Sequence, residues 1–308
     1  MISVLFPGQG SQSIGMAKEF YDNFDYIKTI YSQADEILNF KLTKLIFEGP
    51  KDLLDQTEHT QPAIFLTSYA IFSAMKSEID FNFDEAKFFA GHSLGEYSAL
   101  TCSGALTFED TIKLLKVRGR AMQSAVPNNK GGMVAVLGSE INTINDLINS
   151  NINNFECYIA NDNSNGQTVI SGLKSDLNNF CELLSNLKIK FINLPVSAPF
   201  HCKLMSNATK IMKQELEKIN FTTPRNEIFS NVTAKPSLDI LELKNTLIKQ
   251  IESPVKWREI IINMINNKID RFIEIGPGKV LSGLVKRIDR NVKINQINSL
   301  DDFKDLKK

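Results

Sequence analysis

The residues best suited to chemistry in this 308-residue chain lie in one short segment, GHSLG at residues 91–95. The segment matches G-x-S-x-G, in which a serine on a sharp strand-to-helix turn presents its hydroxyl as a nucleophile. An apolar run at 87–90 precedes it and a helix-compatible segment at 96–102 follows it, as such a turn requires. The flanking glycines leave room for a strained serine backbone. The pattern predicts Ser93 as the nucleophile of an acyl-transferring or hydrolysing enzyme.

A serine nucleophile needs a base, and the chain has three histidines, His59, His92 and His201. We expect His59 to be solvated, because it lies in the polar stretch TEHT at 57–60. His92 adjoins Ser93 in an extended segment, so its side chain should point away from that of the serine. His201 follows a loop with two prolines that could present it across a cleft. Elimination therefore favours His201 as the general base.

No carboxylate is an obvious third member of a triad. The aspartates between Ser93 and His201 lie at predicted helix starts and turns, where capping explains them. The sequence therefore favours a serine–histidine dyad whose histidine is oriented by a backbone carbonyl.

The turn Gly8-Gln9-Gly10 after the first strand resembles the start of a dinucleotide-binding loop. The third glycine of that pattern is missing, because Ser13 occupies its place. We predict instead that the backbone N–H groups of Gln9 and Leu94 form an oxyanion hole.

Arg118 is the candidate for recognition of a charged substrate. A helix after Leu94 should end at Gly104, and a second helix capped by Thr107 should run back beside it as a helical hairpin. Because the second helix runs antiparallel to the first, it should bring Arg118 close to Ser93. A guanidinium beside an acylating serine can bind a carboxylate with two hydrogen bonds, which an esterase for neutral acyl chains does not need.

The pattern of strands and helices predicts two structural units. Strands alternate with helices in residues 1–126 and 199–308, which indicates a core with a mostly parallel sheet. Residues 127–198 show the order β-α-β-β-α-β of a ferredoxin-like subdomain, with a turn at 161–166 between its central strands. We therefore predict an α/β core with an inserted ferredoxin-like subdomain.

Composition narrows the function further. Lysine plus arginine equals aspartate plus glutamate at 35 each, which argues against a general nucleic-acid or membrane-surface binder. No apolar run is long enough for a membrane span, and the N-terminus lacks the features of a signal peptide. The four cysteines are scattered without metal-ligand spacing. We expect a cytoplasmic protein without a metal, nucleotide or flavin cofactor.

Eight segments, in order along nearly the whole chain, resemble one enzyme family, the malonyl-coenzyme A:acyl carrier protein transacylases of type II fatty acid synthesis. They are PGQGSQ (7–12), GHSLGEYSAL (91–100), VRGRAM (117–122), NDNSNGQTVISG (161–172), PVSAPFHCKLM (195–205), FSNVTA (229–234), QIESPVKW (250–257) and EIGPGKVLSGL (274–284). The resemblance implies an α/β-hydrolase-like core with a ferredoxin-like insertion, in agreement with the pattern of strands and helices.

The resemblance also implies roles for individual residues. Ser93 would be the nucleophile, His201 the base, Arg118 the clamp for the malonyl carboxylate, and Gln9 and Leu94 the oxyanion donors. The main-chain carbonyl of Gln250 would orient His201. Four further positions match the acyl and pantetheine pocket of the family: Met122, Asn161, Phe200 and Val280. Phe200 resembles the malonyl-selective version of its loop, although many bacterial members have a small serine there.

By this resemblance, the chain moves a malonyl group from a coenzyme A thioester to acyl carrier protein through a malonyl-serine intermediate, and acts as a monomer. The carrier protein is expected to be acidic, so the docking candidates are the basic residues Lys190, Lys286, Arg287 and Arg290. Three alternatives stay open: an acyltransferase of a polyketide synthase, a serine hydrolase and a non-catalytic carrier-binding module. Trimming of an organelle-targeting segment also stays open.

Overall fold

Two β-sheets organise the chain in the computed structural model, which describes residues 1–127 and 129–306. The larger sheet has the strand order β10-β9-β1-β2-β7-β8, and only β8 runs antiparallel to its neighbour. Its strands are β1 (Ile2–Phe6), β2 (Ala86–Gly91), β7 (Glu227–Phe229), β8 (Pro236–Ser237), β9 (Arg271–Ile275) and β10 (Lys293–Ile297). The smaller sheet consists of β3 (Gly131–Leu137), β4 (Cys157–Ser164), β5 (Gln167–Leu173) and β6 (Lys190–Asn193).

Helices cover both faces of the larger sheet and one face of the smaller. In chain order the described residues form α1 (Lys18–Asn23), α2 (Asp25–Leu38), α3 (Leu42–Glu48), α4 (Lys51–Leu54), α5 (Thr57–Glu78), α6 (Gly95–Cys102), α7 (Phe108–Gln123), α8 (Ile141–Ser150), α9 (Lys174–Asn186), α10 (Ser206–Glu217), α11 (Ile240–Lys249), α12 (Trp257–Asn266), α13 (Val280–Ile288) and α14 (Phe303–Leu306). In the described part of the chain, none combines the length and the apolarity needed to cross a membrane.

Alternate side chains of the central strands point to opposite faces of the larger sheet, which explains why helices cover both faces. In β1, Val4 and Phe6 pack into the larger apolar core with α2, α5 and α7, whereas Leu5 points to the opposite face. That face packs against α12 and α13. Successive side chains of a strand point to opposite faces, so a strand that is apolar throughout must be covered on both sides. The run 2–6 therefore forms a strand in the middle of a three-layer α/β core.

The smaller sheet has the predicted ferredoxin-like arrangement. Its strands are all antiparallel in the order β4-β5-β3-β6, and α8 and α9 supply the two helices of the β-α-β-β-α-β unit. Along β3, Met133 and Ala135 join the core of the larger unit, whereas Val134 and Val136 pack under α8 and α9. The predicted fold class, an α/β-hydrolase-like core with a parallel sheet and a ferredoxin-like insertion, is confirmed.

The prediction of a turn at 161–166 was too long, because β4 continues to Ser164. Local turn propensity is overridden there by contacts between the two units. Asp162 forms an ion pair with Arg258, with an Nη2–Oδ2 distance of 2.8 Å, and its N–H donates to the carbonyl of Val255 at 2.9 Å. The N–H of Val255 in turn donates to the carbonyl of Ala160 at 2.8 Å. These contacts fasten β4 to the start of α12.

The parallel pairing of β1 with β2 places two functional loops side by side. Phe6 is in register with Gly91, so the loops that follow the two strands leave the same edge of the sheet. Strand order reverses at this point, since β2 lies on one side of β1 and β9 on the other. Open α/β sheets bind ligands at such a point, beyond the carboxyl ends of the strands.

Substitution of Gly95 by alanine should destabilise the protein, because a Cβ at this position would lie 2.3 Å from the carbonyl oxygen of Phe6. Either α6 or β1 must then move, and overpacking of this kind typically costs about 1–3 kcal/mol. Urea unfolding measures the loss. Gly283→Ala in α13 is the matched control, because its Cβ would meet nothing within 4 Å. That variant should gain about 0.5–1 kcal/mol from helix propensity, and equal destabilisation of both variants would contradict the prediction.

Candidate active site

Ser93 occupies a strained turn between β2 and α6. Its φ of 53° lies in the left-handed region that residues with a side chain avoid. The turn is tight enough that a Cβ on Gly91 would lie 1.9 Å from the backbone of Gly95. Both glycines of the G-x-S-x-G pattern are therefore required by close approach of the backbone, and the turn holds Ser93 Oγ above the sheet edge.

His201 contacts Ser93, with a distance of 2.8 Å between Ser93 Oγ and His201 Nε2. The other ring nitrogen, Nδ1, lies 2.8 Å from the backbone oxygen of Gln250. A carbonyl oxygen only accepts, so Nδ1 carries the proton and Nε2 is free to accept from the serine hydroxyl. The structure thus brings together Ser93, His201 and the Gln250 carbonyl as the sequence predicted, with no carboxylate in this chain of contacts.

Burial and charge keep the His201 ring neutral. The side chain is almost fully buried, and burial together with the nearby guanidinium of Arg118 lowers the pKa of His201 to about 3. The folded protein therefore holds an unprotonated imidazole throughout the neutral range. A base in this state can take the Ser93 proton without first losing one of its own.

Arg118 lies on α7 with none of its side chain exposed. Its Nη2 donates to Gln250 Oε1 at 2.7 Å and to Ser93 Oγ at 3.1 Å, and its Nη1 donates to Gln61 Oε1 at 2.9 Å. Its Nε is buried and has no partner among the described residues. The helical hairpin of α6 and α7 returns Arg118 to the serine, as predicted. A buried cation held by neutral oxygens is suited to receiving an anion.

The two predicted oxyanion donors lie at the ends of neighbouring strands. Gln9 follows β1 and Leu94 follows Ser93, and both line the same cavity. Among the described residues, neither backbone N–H donates to a protein acceptor. The N–H of Ser93, by contrast, donates to Asn231 Oδ1 at 2.7 Å. Both N–H groups are thus available to an acceptor in the cavity, and their role as oxyanion donors stays a prediction.

A cavity of about 140 Å³ adjoins the serine. Sites for drug-sized ligands measure about 300–1,000 Å³, so this cavity fits a short acyl group. Three of the predicted pocket residues, Met122, Asn161 and Phe200, line it. Val280 does not line it, because it lies at the start of α13 with 47% of its surface exposed. Val280 stays a prediction for the outer part of the site.

The other two histidines have different surroundings. His92 lines the same cavity as Ser93 but does not hydrogen-bond to it, and its Nε2 lies 2.9 Å from Asn163 Oδ1. The expectation of a solvated His59 was wrong. His59 is 7% exposed and stacks on Phe40 at a centroid distance of 4.7 Å, because α5 begins at Thr57 and carries this polar stretch into the core.

Sequence reasoning missed three buried polar residues that hold the site. Gln61 accepts from Arg118, Asn231 accepts from the N–H of Ser93, and Glu96 accepts from the side chain of Gln250. All three are at most 2% exposed. Gln61 directly precedes the apolar run 62–66 of α5, which was a usable signal of burial, and buried polar groups are rarely unpaired. Asn231 and Glu96 are brought to the serine by contacts across the fold, which no local pattern specifies.

Ser93, His201 and Arg118 thus lie together at the edge of a parallel α/β sheet with an inserted ferredoxin-like unit, the arrangement that the sequence predicted for an acyl-transferring enzyme. A family model described as the acyl transferase domain matches residues 4–300, and the chain belongs to that family.

Relatives support this membership over almost the whole chain. The malonyl CoA-acyl carrier protein transacylase of Bacillus subtilis is 42% identical over 95% of this chain and 92% of its own length. The crystal structure of the acyl-carrier-protein S-malonyltransferase from Bartonella henselae superposes with a TM-score of 0.96 at 37% identity, covering 99% of this chain and 98% of that one. A malonyl-transacylase solved in complex with a type II polyketide synthase acyl carrier protein gives a TM-score of 0.94 at 32% identity, covering 98% of this chain and 97% of that one.

The neutral state of His201 predicts an unusual pH dependence for modification of Ser93. The rate constant for reaction with phenylmethanesulfonyl fluoride should change less than threefold between pH 8 and pH 5.5, because the pKa of His201 lies near 3. An ordinary histidine with a pKa of about 6.5 would lose roughly tenfold over that range. Loss of the reaction in His201→Ala is the control. An inflection between pH 6 and pH 7 would contradict the prediction.

Proposed function

We propose that the protein transfers the malonyl group of malonyl-coenzyme A to the pantetheine thiol of acyl carrier protein, through a malonyl ester on Ser93. The reaction is a malonyltransferase step that supplies fatty acid synthesis. It follows a ping-pong course, in which coenzyme A leaves before the carrier thiol reacts. The four cysteines are free, which is compatible with the reducing cytoplasm where we place the reaction.

The observation that carries the proposal is the buried Arg118 beside Ser93. Its guanidinium is 3.1 Å from the nucleophilic oxygen, so an acyl group bound to that oxygen has its far end within reach of the cation. A malonyl group differs from an acetyl group by one carboxylate at that far end. A guanidinium and a carboxylate form two parallel hydrogen bonds, and such charged bonds are strong where the guanidinium is buried, as Arg118 is.

Acylation uses groups that are already in contact. Ser93 Oγ attacks the thioester carbonyl while its proton moves to His201 Nε2, and the N–H groups of Gln9 and Leu94 stabilise the oxyanion that forms. Each such donor is typically worth about 100-fold to 1000-fold in rate. The intermediate collapses as the carbon–sulfur bond breaks. His201 returns its proton to the departing thiolate, and coenzyme A leaves with a neutral thiol.

Transfer to the carrier repeats the same steps in reverse order. The pantetheine thiol gives its proton to His201 Nε2 as the sulfur attacks the malonyl-serine carbonyl, and the same two N–H groups stabilise the oxyanion. The carbon–oxygen bond to Ser93 breaks, and the proton on His201 goes to Ser93 Oγ. No step uses a group from a metal ion or a cofactor. We propose that binding of the malonyl carboxylate by Arg118 limits hydrolysis, because it holds the acyl group in one position within the cavity.

A basic surface near the junction of the two units suits an acidic carrier protein. Lys286, Arg287 and Arg290 are exposed on and after α13, and Arg287 Nη1 donates to Gln167 Oε1 of β5 at 2.6 Å. Lys190 and Gln167 both pair with Leu137, so Lys190 lies two strand spacings, about 10 Å, from Gln167. We propose these four residues as the docking charges, acting with the protein as a monomer.

The chain is also similar to a malonyl-transacylase bound to a polyketide synthase carrier, so polyketide synthesis is a second candidate pathway. The chemistry at Ser93 is the same in both pathways, and only the identity of the carrier differs. A serine hydrolase would differ in the acceptor, because water would replace the thiol.

Intact-protein mass spectrometry tests the two half-reactions. Mixing with malonyl-coenzyme A should add one malonyl group to the protein, and holo acyl carrier protein should then remove it and gain the same mass. Ser93→Ala should show no adduct, because the nucleophilic oxygen is absent. An adduct that decays to free malonate at the same rate without carrier would support the hydrolase instead, and failure of the wild-type protein to form any adduct would refute the mechanism.

Arg118→Ala should convert a malonyl-selective enzyme into an unselective one. We expect kcat/KM for malonyl transfer to fall by about 100-fold, corresponding to loss of charged hydrogen bonds of roughly 3 kcal/mol, while acetyl transfer changes less than tenfold. Arg120→Ala is the matched control, because Arg120 is two residues further along α7 with 71% of its side chain exposed. Equal losses for malonyl and acetyl transfer in Arg118→Ala would refute the clamp.

A further inference from the structure

Glu96 is a buried carboxylate next to the active site that the proposed reaction does not use. It lies in the first turn of α6 and is 1% exposed. Its Oε2 accepts from Gln250 Nε2 at 2.7 Å and from the backbone N–H of Asn231 at 3.1 Å. Its Oε1 is buried and has no partner among the described residues. Burial of a carboxylate is costly, so its retention beside the nucleophile calls for a physical reason.

The side-chain amide of Gln250 connects Glu96 to Arg118. Its Nε2 donates to Glu96 Oε2, and its Oε1 accepts from Arg118 Nη2 at 2.7 Å. The amide can take only this orientation, because reversal would set its NH₂ against the guanidinium and its oxygen against the carboxylate. The side-chain amide of Gln250 therefore lies between the carboxylate of Glu96 and the guanidinium of Arg118, and these two groups form no direct ion pair.

Glu96 also holds the serine turn through Asn231. The backbone N–H of Asn231 donates to Glu96, and the side chain of Asn231 accepts from the N–H of Ser93 at 2.7 Å and donates to the carbonyl of Gly91 at 2.8 Å. Gln250 Nε2 adds a bond to the carbonyl of Ser93 at 3.0 Å. Both residues whose side chains fix the strained turn thus donate to the same carboxylate oxygen, Asn231 through its backbone N–H and Gln250 through its side-chain amide.

Separation of the two charges has a consequence for anion binding. Opposite charges in direct contact satisfy each other, and a substrate carboxylate would then have to displace a charged partner from Arg118. Here the hydrogen bonds of Arg118 go to amide and hydroxyl oxygens, which a carboxylate can replace with a gain in electrostatic energy. Glu96 still offsets the buried positive charge when no acyl group is bound.

We propose that Glu96 is the counter-charge of Arg118, held one amide away so that the guanidinium stays available to the malonyl carboxylate, and that its hydrogen bonds position the serine turn. The inference rests on the proposed function of Arg118. Glu96 touches neither substrate nor reacting atoms, so it is a positioning residue. Its charge and its hydrogen bonds have different effects, which two substitutions separate.

Glu96→Gln removes the charge and keeps an oxygen that can accept from Asn231 and Gln250. In a Ser93→Ala background, which prevents acylation, calorimetry should give a Kd for malonyl-coenzyme A on the order of tenfold lower than in Ser93→Ala alone, because a like charge near the bound carboxylate is lost. The Kd for acetyl-coenzyme A should change less than twofold. Burial raises the pKa of Glu96 to about 7, so binding is measured at pH 8, where the carboxylate is largely ionised.

Glu96→Asp keeps the charge and shortens the side chain, so that it cannot reach both donors. Its malonyl-coenzyme A affinity in the Ser93→Ala background should stay within threefold of the reference. With Ser93 present, malonyl and acetyl transfer should both fall by about tenfold, because the serine turn is less well positioned. This variant tests the inference even if Glu96→Gln fails to fold, since weakened binding of malonyl-coenzyme A alone would overturn it.

Two controls separate the possible failures. Glu274→Gln changes another buried carboxylate, whose hydrogen bonds go to residues 281 and 282, and should leave the ratio of the two thioester affinities unchanged. Arg118→Ala should reduce that ratio to near one, and retention of the full ratio would refute the proposed clamp itself together with this inference. If Arg118 is needed but Glu96→Gln binds malonyl-coenzyme A no more tightly, the clamp stands and only the role of Glu96 is overturned.

Discussion

The contact between Ser93 and His201 depends on two residues that hold a left-handed backbone conformation, with φ of 53° and 59°. Each such residue costs about 1–2 kcal/mol, so the surrounding structure must impose the geometry. Glycine packing around the serine turn, the side chain of Asn231 and the carbonyl of Gln250 supply these restraints. Both strained residues thus lie in the catalytic pair, at loops that are fixed by contacts from other elements.

Much of this architecture could be predicted because it has local signals. G-x-S-x-G after an apolar run marks Ser93, helix length and capping return Arg118 to it, and elimination among three histidines leaves His201. The positions of Glu96 and Asn231 could not be predicted, because they arise from contacts between residues 135 apart in sequence. The same limit explains the errors at His59 and in β4, where partners from other elements outweighed the local preference for an exposed turn.

Arg118 influences the base as well as the substrate. In the free protein, burial and, to a smaller extent, the charge of Arg118 lower the pKa of His201 and keep that ring neutral. In the proposed reaction the malonyl carboxylate offsets this charge as it binds, so the pKa of His201 rises when the ring must hold the serine proton. Binding of the correct acyl group would therefore strengthen the base at the moment it is used, whereas an acetyl group would not. Selectivity for the acyl group then acts on the chemical step as well as on affinity.

The walls of the acyl cavity come from both structural units. The larger unit contributes the reacting groups, whereas Met133, Asn161 and Val169 reach the cavity from strands of the smaller sheet. Leu194, Val196 and Phe200, from the segment that connects that sheet to His201, also line the cavity. Part of the wall that limits the size of the accepted acyl group is therefore encoded apart from the reacting groups. Substitutions in the smaller sheet can reshape that wall while the catalytic residues stay unchanged.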